Sequence, residues 1–193
     1  QTTVKTVIPY FHRFMKRFPT VKDLAEATQE EVYFYWQGLG YYTRARSLHA
    51  TARLVMEKFN GRFPEKREDV LKLKGIGPYT VASFLALAFN QPETVVDGNV
   101  IRVISRLFRL TEPVSEILPQ IREKAAGLTD RTRPADYASA IMDLGAMICT
   151  PKNPQCLLCP WQEHCLSKTD PGLEEIPRRG KPAKKVKNGY VYL

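Results

Sequence analysis

Four cysteines, Cys149, Cys156, Cys159 and Cys165, fall in one window spaced C-x6-C-x2-C-x5-C, and no other cysteine occurs in the chain. Thiolates this close form a complete ligand set for a metal centre, so the segment must fold as a loop drawn around one point. Spacing alone leaves a structural zinc ion and a four-iron, four-sulfur cluster both open, because each accepts four thiolates. Either would tie the loop to the helix ending at Cys149, while Pro151, Pro154 and Pro160 stiffen it and Lys152 makes it basic. No secretory signal precedes the first helical pattern and no apolar run reaches bilayer length. A disulfide framework is therefore not expected, and a reducing interior suits four free thiols.

The rest of the chain reads as helix. Its 193 residues, 44% of them hydrophobic, suffice for one sizeable domain or two lobes. Val4, Val7, Ile8, Phe11, Phe14, Met15 and Phe18 recur at helical spacing, with Pro9 either kinking that helix or starting its main part. Short helices are predicted at 21–27 and 29–36, then, after Gly38-Leu39-Gly40, a basic helix at 43–59. Residues 71–90 read as two helices joined by Gly75-Ile76-Gly77. Val100, Val103, Ile104, Leu107 and Phe108 share one helical face. Further helices are predicted at 115–126 and 134–148, leading into the cysteine loop. No stretch before the end alternates as a strand, and Thr94-Val95-Val96 is too short to build a sheet. The segment 170–187 is rich in proline and basic residues and reads as a solvated linker, and 188–193 as the opening of a strand. Both ends read as cuts in a longer protein.

Three further motifs have a chemical reading beside a plain one. In Lys74-Gly75-Ile76-Gly77-Pro78-Tyr79, the glycines expose backbone N–H groups and Pro78 opens a helix whose positive end suits a phosphate; an ordinary helical hairpin would use the same residues. Asp97, in Val96-Asp97-Gly98-Asn99, reads as the cap of the next helix, or as a carboxylate that steadies a cationic sugar or attacks its anomeric carbon. In Gly38-Leu39-Gly40-Tyr41-Tyr42-Thr43-Arg44, Leu39 and Tyr41 suit insertion into a base stack, and Tyr42 suits a core position. His12, His49 and His164 lack metal-ligand spacing. The net charge of +9 fits mere solubility or a polyanionic partner, and by itself does not separate nucleic acid from an anionic membrane.

In this order the motifs resemble the helix–hairpin–helix DNA glycosylase superfamily, its endonuclease III branch, and within it the adenine glycosylases of the MutY type. The likeness rests on Thr6-Val7-Ile8-Pro9-Tyr10-Phe11, Arg17-Phe18-Pro19-Thr20, Gly38 to Tyr42, Val96 to Val100, Met142 to Cys149 and the cysteine spacing, and it runs to about Pro177. It implies an all-α, two-lobed fold with a C-terminal cluster loop and DNA between the lobes. The helix–hairpin–helix lobe would span about 20–110, and a cluster lobe would join 1–19 to 111–169. The catalytic region would thus be 1–169, followed by a basic linker at 170–187 and the start of a second domain at 188–193.

The resemblance also implies roles. Cys149, Cys156, Cys159 and Cys165 match the ligands of a 4Fe-4S cluster. Asp97 matches the catalytic aspartate, and Asn99 a polar residue near the reacting sugar. Tyr79 stands where strand-cutting relatives carry a Schiff-base lysine, which implies monofunctional hydrolysis. Gln1, Leu39 and Tyr41 match residues around the base opposite the extruded adenine, and Gly75 and Gly77 the hairpin that holds the backbone. The implied partner is double-stranded DNA with adenine opposite 8-oxoguanine or guanine, met by a monomer with no membrane association. The family's general-acid glutamate matches a position upstream of Gln1, so the 193-residue chain alone is expected to bind DNA and excise little. The nearest rival is a thymine or uracil mismatch glycosylase of the same superfamily. A non-catalytic iron–sulfur DNA-binding module and a zinc-stapled DNA-binding domain stand further off.

Overall fold

The structure, a computed structural model, describes residues 3–178. Gln1, the part of the expected linker at 179–187 and the segment 188–193 lie outside the described residues. Among those described, regular structure is helical throughout, with one isolated bridge between Pro113 and Arg178. The chain divides into two compact units, Gln1–Leu85 and Ala86–Leu193.

The first unit is built on aromatic packing and capped short helices. α1 (Val4–Arg17) runs through Pro9, which sits inside the helix. The Phe14 ring lies 4.8 Å from Phe18 and 6.2 Å from Trp36, and Phe18 meets Tyr35 edge-on at 5.5 Å. These contacts place α1 against α3 (Gln29–Trp36). The aromatic face of α1 finds its complement within the first unit. α2 (Val21–Glu26) starts at a reciprocal capping box between Thr20 and Asp23, and Thr28 caps α3 at the Glu31 amide. α4 (Tyr42–Phe59) buries Ala45, Ala52 and Val55. Of the two helices expected at 71–90, one forms, α6 (Pro78–Phe89); residues 71–77 are turns, and the short α5 (Arg67–Val70) precedes them.

The second unit centres on α7 (Gly98–Leu107), whose Val100, Val103 and Ile104 are buried with Leu110, Ile117, Ile121, Ile141 and Leu144. Around α7 stand α8 (Val114–Leu128) and α9 (Pro134–Asp143). The predicted helix at 134–148 changes character: its last turn, Leu144–Ile148, is a π-helix. Residues 170–178 are not a solvated linker. Leu173–Glu175 form a 3₁₀ turn, Ile176 is buried, and the Val114 amide donates to the Arg178 carbonyl at 3.1 Å. Ile176 supplies the apolar anchor that the surrounding prolines and charges obscure.

Candidate active site and metal centre

The Gly75–Gly77 turn belongs to the first unit. Gly75 has φ +77°, and a Cβ there would stand 2.7 Å from the Ser47 Cβ. Its neighbour's carbonyl, that of Lys74, accepts from the Thr51 hydroxyl at 3.1 Å, pinning the turn to α4. Gly77 has no crowding within 4 Å, so nothing in the fold demands a glycine there. Beside the turn, Trp36, Arg44, Ser47, Lys74, Ile76 and Thr80 line a cavity of about 480 Å³. Tyr41, 78% exposed in the left-handed region at φ 47°, holds its ring under the Arg44 guanidinium at 4.9 Å. Leu39 is half-buried, less of a free tip than expected, because the turn folds back through the bond from the Trp36 ring N–H to the Gly40 carbonyl. Tyr42, expected in the core, stays at the surface and touches Tyr33 edge-on. Tyr79 is 40% exposed in the first turn of α6.

Asp97 belongs to the second unit and is half-buried. Its geometry shows the helix cap. One carboxylate oxygen caps α7, accepting from the Val100 amide at 2.7 Å; the other accepts from the Asn99 side-chain amide at 3.1 Å. Two donors fix the carboxylate at the positive end of the helix, where its charge is favoured. Asn99 in turn accepts from Arg102 at 2.9 Å, and the Arg102 Nε donates to the Cys149 carbonyl at 2.7 Å. A hydrogen-bonded chain thus runs Asp97–Asn99–Arg102–Cys149. Burial lowers the Arg102 pKa, an effect opposed by Cys149 and Asp97. Arg102 also reaches the Gly145 carbonyl in the π turn. Gly145 itself leaves no room for a side chain: a Cβ would stand 2.6 Å from the Asn99 Cβ.

The four cysteines converge on one cavity, lined also by Arg106, Lys168 and Leu173 and by no carboxylate. Cys149 closes the π turn, its amide donating to the Leu144 carbonyl at 2.7 Å. Cys156 opens a short 3₁₀ turn that returns at Cys159, and the Leu166 amide ties the far end to the Leu107 carbonyl. Burial raises the Cys159 and Cys165 thiols, with neighbouring cysteines adding to the effect, and backbone N–H groups of Trp161 and Ser167 oppose it. Among the described residues no three His, Cys, Asp or Glu side chains gather tightly enough to hold one metal ion. Four thiols lining one cavity, with no carboxylate among them, are a donor set that suits an iron–sulfur cluster.

Arg106 escaped the sequence reading. It is 1% exposed, and its guanidinium donates to the carbonyls of Thr150 at 2.6 Å, Pro151 at 3.0 Å and Ile176 at 2.9 Å, and to the Cys149 sulfur at 3.5 Å. A signal was available: Arg106 lies three residues after Val103 and four after Arg102, on the core-facing side of α7. An arginine there must find buried acceptors.

Residues 1–126 match the HhH-GPD superfamily of base excision DNA repair proteins. The chain belongs to that superfamily. Residues 149–165, which contain all four cysteines, match the iron–sulfur binding domain of endonuclease III, and the protein carries a 4Fe-4S cluster. Similar proteins include an adenine DNA glycosylase of Rattus norvegicus, 44% identical over 86% of this chain and 33% of its own length. Another is an adenine DNA glycosylase of Buchnera aphidicola subsp. Baizongia pistaciae, 38% identical over 86% of this chain and 48% of that protein. The chain thus spans between a third and a half of these relatives. Among solved structures, a thermostable thymine-DNA glycosylase is similar at TM-score 0.77 and 28% identity, over 86% of this chain and 78% of that one. A trapped endonuclease III–DNA covalent intermediate is similar at TM-score 0.71 and 25% identity, over 86% and 78% of the two chains.

Proposed function

We propose that this chain is the catalytic region of a monofunctional glycosylase that removes adenine paired with 8-oxoguanine or guanine in duplex DNA. The observation that carries the reading is the Asp97 carboxylate, held by two donors at the start of α7 and half-open to solvent. The likeness to the adenine DNA glycosylases named above supports adenine as the base released, and Tyr79, which has no amine for a Schiff base, favours hydrolysis without strand cutting. The adenine leaves the base stack. A general acid protonates its ring, the N-glycosidic bond breaks with its electron pair moving to the base, and positive charge spreads over C1′ and the ring oxygen. Asp97 stabilises that cation by its fixed charge or by a transient bond, and water adds at C1′ and loses a proton. Asn99 orients Asp97, while Leu39, Tyr41 and the Gly75–Gly77 turn hold the duplex. Gln1 is assigned to the opposite base on the resemblance alone.

The test is single-turnover base release by the full-length protein from duplexes with adenine opposite 8-oxoguanine, adenine opposite guanine, and thymine opposite guanine. Adenine release is expected to dominate, and Asp97→Asn is expected to slow it on the order of 10³-fold. Preferential thymine release would instead support the second reading, suggested by the likeness to the thymine-DNA glycosylase structure. Unchanged release in Asp97→Asn would remove both.

A further inference from the structure

We propose that Asp170–Arg178 is a strap that closes the iron–sulfur cavity and sets how long the cluster stays bound. Leu173 is the strap's contribution to the cavity wall, on a par with the four cysteines that line it. Glu174 pins the cysteine loop from outside: its carboxylate accepts from the Asn153 amide at 2.7 Å, between the first and second ligands. Asn153 sits at φ 49°, a left-handed turn that this bond holds in place.

The strap is fastened at three points. At its start, Asp170 pairs with Arg109 at 2.8 Å and accepts from the Gly172 amide at 2.8 Å. In its middle, the Ile176 side chain is 4% exposed and its carbonyl accepts from the buried Arg106 at 2.9 Å. At its end, the Arg178 carbonyl accepts from the Val114 amide at 3.1 Å. Arg106 is the shared fastening, because the same guanidinium holds the Thr150 and Pro151 carbonyls and the Cys149 sulfur. Lifting the strap would therefore unseal the cavity at Leu173, free the loop at Asn153 and leave Arg106 short of an acceptor. Water, oxygen or a chelator would then reach the cluster.

Outer-shell partners of a metal site commonly change metal retention by 10–100-fold. The experiment loads the full chain with cluster and follows the decay of its visible charge-transfer absorbance, together with iron release to a chelator, in aerated buffer. Leu173→Ala and Glu174→Ala are compared with wild type and with Leu24→Ala, which trims a buried side chain of the first unit. Both strap variants are expected to lose iron on the order of 10-fold faster than wild type, with Leu24→Ala near the wild-type rate. Wild-type decay in both strap variants would overturn the proposal. So would equal acceleration by Leu24→Ala, because loss would then follow general unfolding. Leu173→Met, which refills the wall, is expected to restore slow decay; failure to do so would count against Leu173 as the seal.

Discussion

Gly75 and Gly77 share one turn, yet the fold needs only the first. With φ +77° and Ser47 2.7 Å from where a Cβ would stand, Gly75→Ala is expected to cost about 1–3 kcal/mol, read from urea or thermal unfolding. Gly77→Ala meets no neighbour and should leave stability within about 0.5 kcal/mol. If the turn holds the duplex backbone as proposed, the added methyl group is nevertheless expected to weaken duplex binding several-fold. Equal destabilisation by both substitutions would reduce the motif to a structural hairpin. Arg102 poses a different question, because it carries the chain from Asn99 to the Cys149 carbonyl. Arg102→Gln strands acceptors on Asn99, Gly145 and Cys149, and about 3 kcal/mol of stability is expected to go with them. Base release should fall with it in protein that retains full cluster absorbance. If release stays at the wild-type rate in such protein, the chain serves packing only.

At the scale of elements, what the sequence disclosed depended on whether local chemistry or a distant contact set the boundary. The helix at 29–36 was readable to the residue, since Thr28 caps its start and the glycines of Gly38-Leu39-Gly40 follow its end. The cysteine loop and the cap at Asp97 were equally local. The π turn at Leu144–Ile148 was not, because its cause lies across the unit: Gly145 settles against Asn99 while Arg102 takes its carbonyl. Residues 170–178 misled for a related reason, as one buried isoleucine and a hidden arginine outweigh a linker-like composition. For Arg106 the sequence places a charge on the buried face of α7, while the partners that satisfy it are backbone carbonyls, which no residue pattern announces. The π turn can be tested directly. Gly145→Ala would place a methyl group 2.6 Å from the Asn99 Cβ and 3.1 Å from its backbone. Since backbone cannot give way cheaply, about 1–3 kcal/mol of destabilisation is expected in thermal unfolding. A melting temperature matching wild type would mean that the turn relaxes freely and does not fix Asn99.

At the scale of the whole molecule, the decisive quantity is the excess of nine positive charges, carried by 29 Lys and Arg against 20 Asp and Glu. Several of the carboxylates are spent on internal partners: Glu31 with Arg17, Asp69 with Lys72, Asp136 with Arg133 and Asp170 with Arg109. Such exposed pairs add little stability each, so their main effect is to remove equal numbers of both signs from the field outside. The remaining excess is what a polyanion would meet. If duplex DNA is that polyanion, each phosphate neutralised releases counterions, and log affinity falls with log salt at about −0.9 per contact for duplex DNA. Three to four such contacts imply roughly a 100-fold loss of affinity between about 50 and 200 mM salt, measurable by fluorescence anisotropy on an undamaged duplex. Replacing Lys152 by Gln should flatten that slope by about one contact if the cysteine loop touches the backbone, and leave it unchanged if the loop faces solvent. A wild-type affinity insensitive to salt would show that the positive excess serves solubility, and the duplex would have to be held by stacking and shape alone.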